Sequence, residues 1–554
     1  MVLSPTELKS FALSDIETLL RSGNKSVSDF PTMPQPDASL ITERQNRLIY
    51  DELNYDRQSL AEEYTQLMST MTSEQRKIYD KIMTRVTENI PGLFFLHGYG
   101  GTRKTYIWRA MSAALRSKGD IVLTVASSGI AALLIPGGRT AHSRFSIPIH
   151  VDENSTCNIT QGSPLAELIV KAKLIIWDEA PMTHKHCFEA VDRTFRDILR
   201  FCNSRNLNLP FGGKVVVLGG DFRQILPVIP KGTRQEVVHA TITSSYLWDF
   251  CEVMTLHTNM RLLTGSLDSD VKQRKDFSDW VLGIGDGSVG EDDDDVDLSV
   301  QIPDDFLIKS SGDSLASIVC STYPSFLDNM NDLSFFKDRA ILAPKNDDVD
   351  KINDYMLSLI PGDQKTYLSF DAPYSLNPDI DNPDDVHTTE FLNTITALGL
   401  PNHIVKLKVG VPVMLLRNID HSSGLCNGTR LLITKMGKYV LEGKVISGSN
   451  IGHKVYIPRL SLTPDDIRIP FKFQRRQFPL TISFAMTINK SQGQSLKHVG
   501  LYLSRSVFSH GQLYVAYSRV TSRKGLKILV IDDESQDTNM TANVVYKEIF
   551  QKLD

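Results

Sequence analysis

Residues 93–105 read LFFLHGYGGTRKT, and this stretch decides the fold. Its first part, Leu93–Leu96, is an apolar run typical of a buried strand, and a helix-like segment begins at Tyr106. A glycine-rich loop between such a strand and a helix places backbone N–H groups at a helix N-terminus, where the helix dipole favours anions. The stretch therefore predicts a phosphate-binding loop in an α/β domain with a parallel sheet.

The loop follows the pattern G-x-x-x-x-G-K-[ST] except at its second glycine, where Arg103 stands. A glycine there lets the backbone pass close to phosphates without a Cβ. Arginine either misfolds the loop or points its side chain outward, and an ordinary glycine-rich turn is the plain alternative. Lys104 would reach the β- and γ-phosphates, and Thr105 would bind Mg²⁺. The residues predicted to bind ATP in this loop are Gly98, Gly100, Gly101, Thr102, Arg103, Lys104 and Thr105.

Two further apolar runs end in polar residues. The first, LIIW at residues 174–177, leads into Asp178 and Glu179. Asp178 is predicted to hold Mg²⁺ and Glu179 to polarise the attacking water. The second run, at residues 215–218, leads to Gln224, which would sense the γ-phosphate from the neighbouring strand. Acidic residues at the end of a strand are common by themselves. Here these strands follow the glycine loop along the chain, and this order favours a catalytic role.

Composition excludes several other classes of protein. The 554 residues suggest two to four domains, and 41% apolar with 23% charged residues is typical of a globular chain. The net charge of −5 comes from six acids at residues 291–297, so the remainder is nearly neutral and charge decides nothing about nucleic-acid binding. Six cysteines without a C-x-x-C pair predict free thiols, and we expect neither a signal peptide nor a membrane span.

Eight motifs in combination resemble the Pif/RecD branch of superfamily-one helicases. They are MTSEQRKIYDKI, GYGGTRKT, TVASSGIAALLIPGGRTAHSRF, LIIWDEAPM, VVLGGDFRQILPV, LHTNMR, AMTINKSQGQSL and GQLYVAYSRV. The likeness runs from about residue 45 to the C-terminus and is greatest to the Pif-type helicases of Helitron transposons and their plant relatives. It implies an ATP- and Mg²⁺-dependent DNA helicase that moves 5′ to 3′ on single-stranded DNA and acts at duplex junctions. Nuclear roles in repair, recombination and telomere maintenance are implied as well.

The alternation of strand-like and helix-like segments, with this resemblance, predicts an α/β fold of two RecA-like P-loop NTPase domains. A small SH3-like β-barrel is expected to be inserted in the second domain. The glycine-, aspartate- and serine-rich stretch at about 284–315 is expected to be a mobile acidic linker. The predicted segments are an N-terminal extension (1–60), the first RecA-like domain (61–262), a helical segment with the acidic linker (263–335), the second RecA-like domain (336–404 and 463–554) and the insertion (405–462).

The resemblance also assigns residues beyond the phosphate loop. Gln75 matches the glutamine that reads the adenine edge, and Arg261 and Arg519 match two arginines that contact the γ-phosphate across the interdomain cleft. The residues that match DNA-binding positions are Ser127, Ser128, Gly129, Thr140, His142, Thr487, Asn489, Lys490, Ser491 and Gln492. Each of these is as readily a helix cap or a solvated turn. Further basic residues could line the track or form an exposed charged face: Arg468, Lys472, Arg475 and Arg476.

The sequence also suggests three other interpretations. His184-Lys185-His186 resembles the His-x-His pair of rolling-circle nucleases, but no tyrosine pair accompanies it, and with Cys187 it lacks a fourth zinc ligand. The serious rival is a nucleic-acid-binding protein whose motor is impaired by Arg103.

Overall fold

The first sheet is built from apolar runs with many β-branched residues. Its strands are β1 (Gly92–Gly98), β2 (Ile121–Ala126), β3 (Arg139–Thr140), β4 (Ala172–Asp178), β5 (Val215–Gly220) and β6 (Cys251–Leu256). They pair in parallel in the order β3-β2-β4-β5-β1-β6. All residues of β2 and β5 are buried, as expected for a parallel sheet with helices on both faces. Because β5 lies between β1 and β4, the polar residues at these three strand ends are neighbours.

This computed structural model describes most of the chain. The described residues are 6, 9–10, 12–13, 16–17, 26–30, 32–35, 46–260, 268–293, 297–309, 312–330, 332–373, 388–397, 399–420, 423–448, 450–464, 469, 471–531 and 538–553. Among them, no helix is both long and apolar enough to cross a membrane.

Nine helices described up to residue 260 surround the first sheet. They are α1 (Arg47–Leu53), α2 (Arg57–Ser69), α3 (Ser73–Thr87), α4 (Lys104–Arg116), α5 (Gly129–Leu133), α6 (Ala141–Phe145), α7 (Pro164–Lys171), α8 (Lys185–Leu199) and α9 (Arg234–His239). Successive residues of β4 point to opposite cores, with Leu174 and Ile176 on the α4 side and Ile175 and Trp177 on the other.

The segment before residue 61, expected from the sequence to be an N-terminal extension, packs on the first domain through α1. Glu52 is 6% exposed and forms ion pairs with Arg116 (3.5 Å) and with Arg144. Asn46 caps α1, and its side-chain amide donates to the carbonyl oxygen of Pro164 at 2.6 Å. The first domain therefore extends back to residue 46.

Regular strands lie where composition predicted an irregular acidic linker. After helix α10 (Asp268–Asp286), strands β7 (Glu291–Asp293) and β8 (Asp297–Gln301) form an antiparallel pair, and β8 also pairs with residues 540–543. Helices α11 (Ser314–Thr322) and α12 (Leu333–Lys337) follow.

The second domain contains a parallel sheet interrupted by antiparallel strands. Its remaining strands are β9 (Arg339–Ala343), β10 (Lys365–Leu368), β11 (Phe370–Pro373), β12 (Ile404–Leu407), β13 (Pro412–Leu415), β14 (Arg430–Met436), β15 (Val440–Val445), β16 (Lys454–Pro458), β17 (Leu460–Leu462), β18 (Phe473–Gln477), β19 (Leu480–Ile482), β20 (Ala485–Thr487), β21 (His498–Leu503), β22 (Leu526–Val530) and β23 (Met540–Asn543). The helices are α13 (Asn346–Leu359), α14 (Thr389–Thr394) and α15 (Gln512–Ser518).

The parallel sheet has the order β20-β9-β21-β22, so β9 and β20 are neighbours although the antiparallel strands separate them in sequence. Those strands form three sheets, with the orders β10-β12, β11-β18-β17 and β16-β15-β14-β13-β19. They extend from Lys365 to Ile482, beyond the 405–462 insertion expected from the sequence, because β10, β18 and β19 pair with strands of that insertion and β11 pairs with β18.

Candidate nucleotide site and interdomain cleft

The glycine loop between β1 and α4 reaches the helix through a left-handed residue. Arg103 has φ 60° and ψ 44°. That conformation costs a residue with a Cβ about 1–2 kcal/mol, which is why the phosphate-loop pattern has glycine here. The Arg103 side chain is exposed and, within the described part of the chain, makes no hydrogen bond or ion pair. The sequence predicted either a misfolded loop or an Arg103 side chain that points outward. The structure shows the outward-pointing side chain.

The other loop residues fall into close-packed and open positions. A Cβ at Gly98 would stand 2.7 Å from the Thr102 hydroxyl, whereas a Cβ at Gly100 would meet nothing within 4 Å. Gly101 has φ 106°, in the region that favours glycine. The Lys104 ammonium donates to the Gly98 carbonyl oxygen and so lies within the concave side of the loop. The space beside Gly100 is open to a phosphate group.

Gln75 and Thr105 border this loop. The Gln75 side chain is buried, donates to the Thr102 carbonyl oxygen at 3.3 Å and accepts from the Thr72 backbone N–H at 3.3 Å. The second bond belongs to the capping box that starts α3, so Gln75 ties that helix to the loop. Thr105 is half-buried in the first turn of α4.

Two carboxyl groups stand at the end of β4. Asp178 is buried, and its Oδ1 accepts from the Glu179 backbone N–H at 3.0 Å. Burial raises the pKa of Asp178, while the nearby Lys104 ammonium opposes the shift. Burial and the Asp178 charge raise the pKa of Glu179 to about 7, against the opposing charges of Lys104 and Arg519. Glu179 also has a left-handed backbone, with φ 52°. Strained backbone and shifted pKa values both concentrate at functional sites.

Gln224 and Arg519 approach from opposite sides of the cleft. Gln224 is buried, and its Oε1 accepts from the Nε2 of Gln492 in the second domain at 2.9 Å. Arg519 is 8% exposed and donates to the carbonyl oxygens of Val515 (2.9 Å) and Gln494 (3.0 Å). Its own domain thus fixes the guanidinium group close enough to Glu179 to affect that pKa.

Arg261 lies outside the described residues. The stretch before it is attached to the phosphate loop: the Met260 backbone N–H donates to the Gly101 carbonyl oxygen at 3.0 Å, and the Tyr99 hydroxyl donates to the His257 carbonyl oxygen at 2.7 Å.

In the first domain, the residues matched to DNA-binding positions are largely held by the protein itself. The Ser127 backbone N–H donates to the Asp178 carbonyl oxygen at 3.2 Å. Ser128 caps α5 by accepting from the Ala131 N–H at 3.2 Å, so the cap interpretation describes its side chain. Thr140 is half-buried before α6, without a side-chain capping bond.

His142 faces the protein interior. Its Nε2 lies 3.9 Å from the Cys187 sulfur, and burial lowers its pKa. Among the described residues, no three or more His, Cys, Asp or Glu side chains form a group that could hold a metal ion.

The second domain contains the other loop matched to DNA-binding positions, which follows β20. Its side chains also bond largely within the protein. Thr487 and Ser491 are buried, and the Ser491 hydroxyl donates to the Ile488 carbonyl oxygen at 2.7 Å. Asn489 accepts from the Gln512 side chain at 3.1 Å. Lys490 is half-buried; burial lowers its pKa, and Asp350 opposes the shift.

A contact that the sequence did not reveal joins α5 to the second domain. A Cβ at Gly129 would stand 2.7 Å from the Asn427 carbonyl oxygen, and one at Gly428 would stand 2.5 Å from Ile130 Cδ1. A Cβ at Gly493 would lie 3.6 Å from Ile130 Cγ2. Ile130 therefore packs in a socket lined by Gly428 and Gly493. In the sequence alone, Asn427-Gly428 predicts only a turn.

The basic run before β20 is split by strand alternation. Arg475 is fully buried and pairs with Asp371 through two nitrogens, at 3.0 and 2.6 Å. It belongs neither to a DNA track nor to an exposed face. Lys472 and Arg476 are exposed, and Arg468 lies outside the described residues.

The phosphate loop, the acids on the adjacent strand and the arginine across the cleft define a P-loop protein with two RecA-like domains. A family model described as PIF1-like helicase matches residues 70–295, and one described as DNA helicase Pif1, 2B domain, matches residues 390–436. Over these residues the chain is similar to the Pif1-like helicases.

Individual relatives and solved structures are similar to this chain as well. ATP-dependent DNA helicase PIF1 of Danio rerio is 27% identical over 468 residues, which cover 82% of this chain and 61% of the relative. The chain spans about three fifths of the length of the curated relatives that it matches. The Pif1 helicase from Candida albicans is 24% identical with a TM-score of 0.57, covering 87% of this chain and 97% of that chain. The Bacteroides Pif1 helicase solved with ADP-AlF3 and ssDNA is 22% identical with a TM-score of 0.57, covering 84% and 94%. Both structures share the fold.

Proposed function

We propose that this chain is an ATP-dependent DNA helicase that translocates on single-stranded DNA and unwinds duplexes. One observation carries the proposal. Lys104 begins the helix that follows β1 and its loop, the Asp178–Glu179 pair stands at the end of β4, and β5 lies between these two strands. Arg519 approaches Glu179 from the second domain. This is the set of groups that phosphoryl transfer to water requires when hydrolysis depends on two domains.

ATP and Mg²⁺ fit the residues present. The loop leaves open space beside Gly100, and Lys104 already directs its ammonium group into the loop. Mg²⁺ usually takes one or two protein oxygens, with phosphate and water supplying the rest, so the Thr105 hydroxyl and Asp178 suffice. The bound ion would neutralise charge on the phosphates.

This chain's own residues would then do the following. Lys104 exchanges the Gly98 carbonyl for phosphate oxygens, and Glu179, as a carboxylate, accepts a proton from the attacking water. Arg519 neutralises transition-state charge, with Arg261 assigned the same role by the resemblance alone. The assignment of Gln75 to the adenine edge rests on the resemblance too.

The DNA track is proposed along the loops at 127–129, 140–142 and 487–492. Side chains there are largely engaged, so we expect backbone N–H groups and Lys490 to hold phosphates, which makes binding tolerant of sequence. Duplex junctions as substrates, 5′–3′ polarity, nuclear location, the Helitron-associated plant-type subgroup and the roles in repair, recombination and telomere maintenance rest on the resemblance.

The test is ATP hydrolysis by the purified chain with and without single-stranded DNA, beside Lys104→Ala. We expect DNA to stimulate hydrolysis and Lys104→Ala to lower the rate by roughly 100-fold or more, because the β- and γ-phosphates lose their cation. Undiminished hydrolysis in Lys104→Ala would contradict the proposal. DNA binding without any hydrolysis would favour the impaired motor instead.

A further inference from the structure

The turn after β5 is bound to the second domain by two buried hydrogen bonds. Asp221 Oδ2 accepts from the Tyr514 hydroxyl at 2.6 Å, and the Phe222 carbonyl oxygen lies 2.8 Å from His510 Nε2. All four residues are at most 2% exposed. The partners are 293 and 288 residues apart in sequence, so these bonds report on how the two domains fit together.

The protonation of both pairs is fixed by their surroundings. His510 Nδ1 accepts from the Tyr546 backbone N–H at 2.9 Å, so Nε2 carries the hydrogen that is donated to Phe222. Burial lowers the pKa of His510 to about 4, which keeps the ring neutral. Burial opposes ionisation of Asp221, but the Arg223 guanidinium and other nearby donors hold its pKa below the usual value. Asp221 therefore accepts as a carboxylate.

The next two residues of the turn also touch the second domain. Gly511, with φ 72°, lies so near that a Cβ would stand 2.3 Å from the Arg223 carbonyl oxygen. Gln224 binds Gln492. All four residues of the turn, Asp221 to Gln224, thus contact the second domain, and two of its contacts come from the residues just before α15.

We propose that Tyr514 and His510 are positioning residues for ATP hydrolysis, an inference that rests on the proposed function. They hold the turn against the start of α15, and the turn carries the Gln224 amide to the γ-phosphate side of the cleft. Neither side chain needs to touch the nucleotide. The rate of ATP hydrolysis then depends on how the Asp221–Gln224 turn is aligned with α15. The affinity for the nucleotide depends mainly on the phosphate loop.

The chain supplies a matched control on the same helix. Tyr517 is 0% exposed, and its hydroxyl has no hydrogen-bond partner among the described residues. Tyr514→Phe and Tyr517→Phe therefore remove the same atom from equally buried rings. Only the first breaks interdomain hydrogen bonds, one to Asp221 and one from the Gly100 backbone N–H, and the cycle with Asp221→Asn isolates the first of these.

The experiment measures kcat and KM for ATP with saturating single-stranded DNA, normalised to the nucleotide-binding sites in each preparation. For Tyr514→Phe we expect kcat to fall about 10-fold with KM within about twofold, because the lost interaction acts in the transition state. Tyr517→Phe should stay within about twofold of the unmodified chain in both constants. Normalisation to binding sites separates this effect from a loss of folded protein.

A double-mutant cycle with Asp221→Asn completes the test. If the Tyr514–Asp221 bond carries the effect, Tyr514→Phe should lower kcat much less in the Asp221→Asn background than alone. The inference is overturned if Tyr514→Phe matches Tyr517→Phe in an active enzyme, or if the two changes lower kcat independently. An unmodified chain without ATP hydrolysis would overturn the proposed function itself, and this inference with it.

Discussion

The nucleotide site and the proposed DNA loops use their polar side chains differently. At the nucleotide site, Lys104 lies near Asp178 and Glu179, the pKa values of the two carboxyl groups are raised, and few bonds outside the site hold these side chains. In the DNA loops, Ser128 caps a helix and the Ser491 hydroxyl binds a carbonyl of its own turn. Chemistry needs side chains that are free to act, whereas a sequence-tolerant grip needs a rigid backbone that presents N–H groups.

The largest effect should come from the nucleotide side. Glu179→Gln keeps shape and hydrogen bonding but cannot take a proton, so hydrolysis should fall by roughly 100-fold or more while ATP binding persists. Steady-state hydrolysis and equilibrium binding of a fluorescent ATP analogue measure the two quantities. If Glu179→Gln still hydrolyses ATP within a few-fold of the unmodified chain, Glu179 does not accept the proton. The contrast between the nucleotide site and the DNA loops would then be weaker.

An intermediate effect should separate two residues of the DNA loops. Lys490→Ala should lower affinity for single-stranded DNA and reduce the slope of log affinity against log salt by about one, since one phosphate contact is lost. Ser128→Ala should cost about 1 kcal/mol of stability, the value of a helix cap, with the salt slope unchanged. Fluorescence anisotropy at several salt concentrations, with thermal melting, measures both. A changed salt slope in Ser128→Ala would show that its hydroxyl grips DNA after all.

The smallest effect should come from Arg103. Arg103→Gly removes left-handed strain but adds freedom to the unfolded chain, and the two changes, each about 1 kcal/mol, largely cancel. We expect hydrolysis within about threefold of the unmodified chain, because the side chain points away from the site. Activity that appears only in Arg103→Gly would mean that the arginine disables the loop.

The strand ends were predictable because each depends on local sequence. The run at 215–218 became β5, and its neighbour at 174–177 became the buried part of β4. The roles proposed for Lys104, Asp178 and Glu179 follow from those positions, and the motifs predicted the similarity to Pif1-like helicases.

Long-range pairing could not be predicted in the same way. Arg475 and Asp371 lie 104 residues apart in the sequence, and both side chains are fully buried. Before the strand pairing is known, each of them would be taken for an exposed surface charge. The contacts of Tyr514 and His510 likewise depend on domain packing. One local signal was available: neighbouring residues of a strand point to opposite faces of the sheet, so Arg475 and Arg476 could not both be exposed on one face.

The buried Glu52 has a practical consequence for where this chain can be cut. The matched family region starts at residue 70, but a fragment starting there would lack the anion that Arg116 and Arg144 share. Breaking such a buried pair typically costs about 3–5 kcal/mol, a large share of a domain's stability. The boundary drawn by sequence similarity and the boundary of the cooperative folding unit are therefore different, and a fragment made for expression should follow the second.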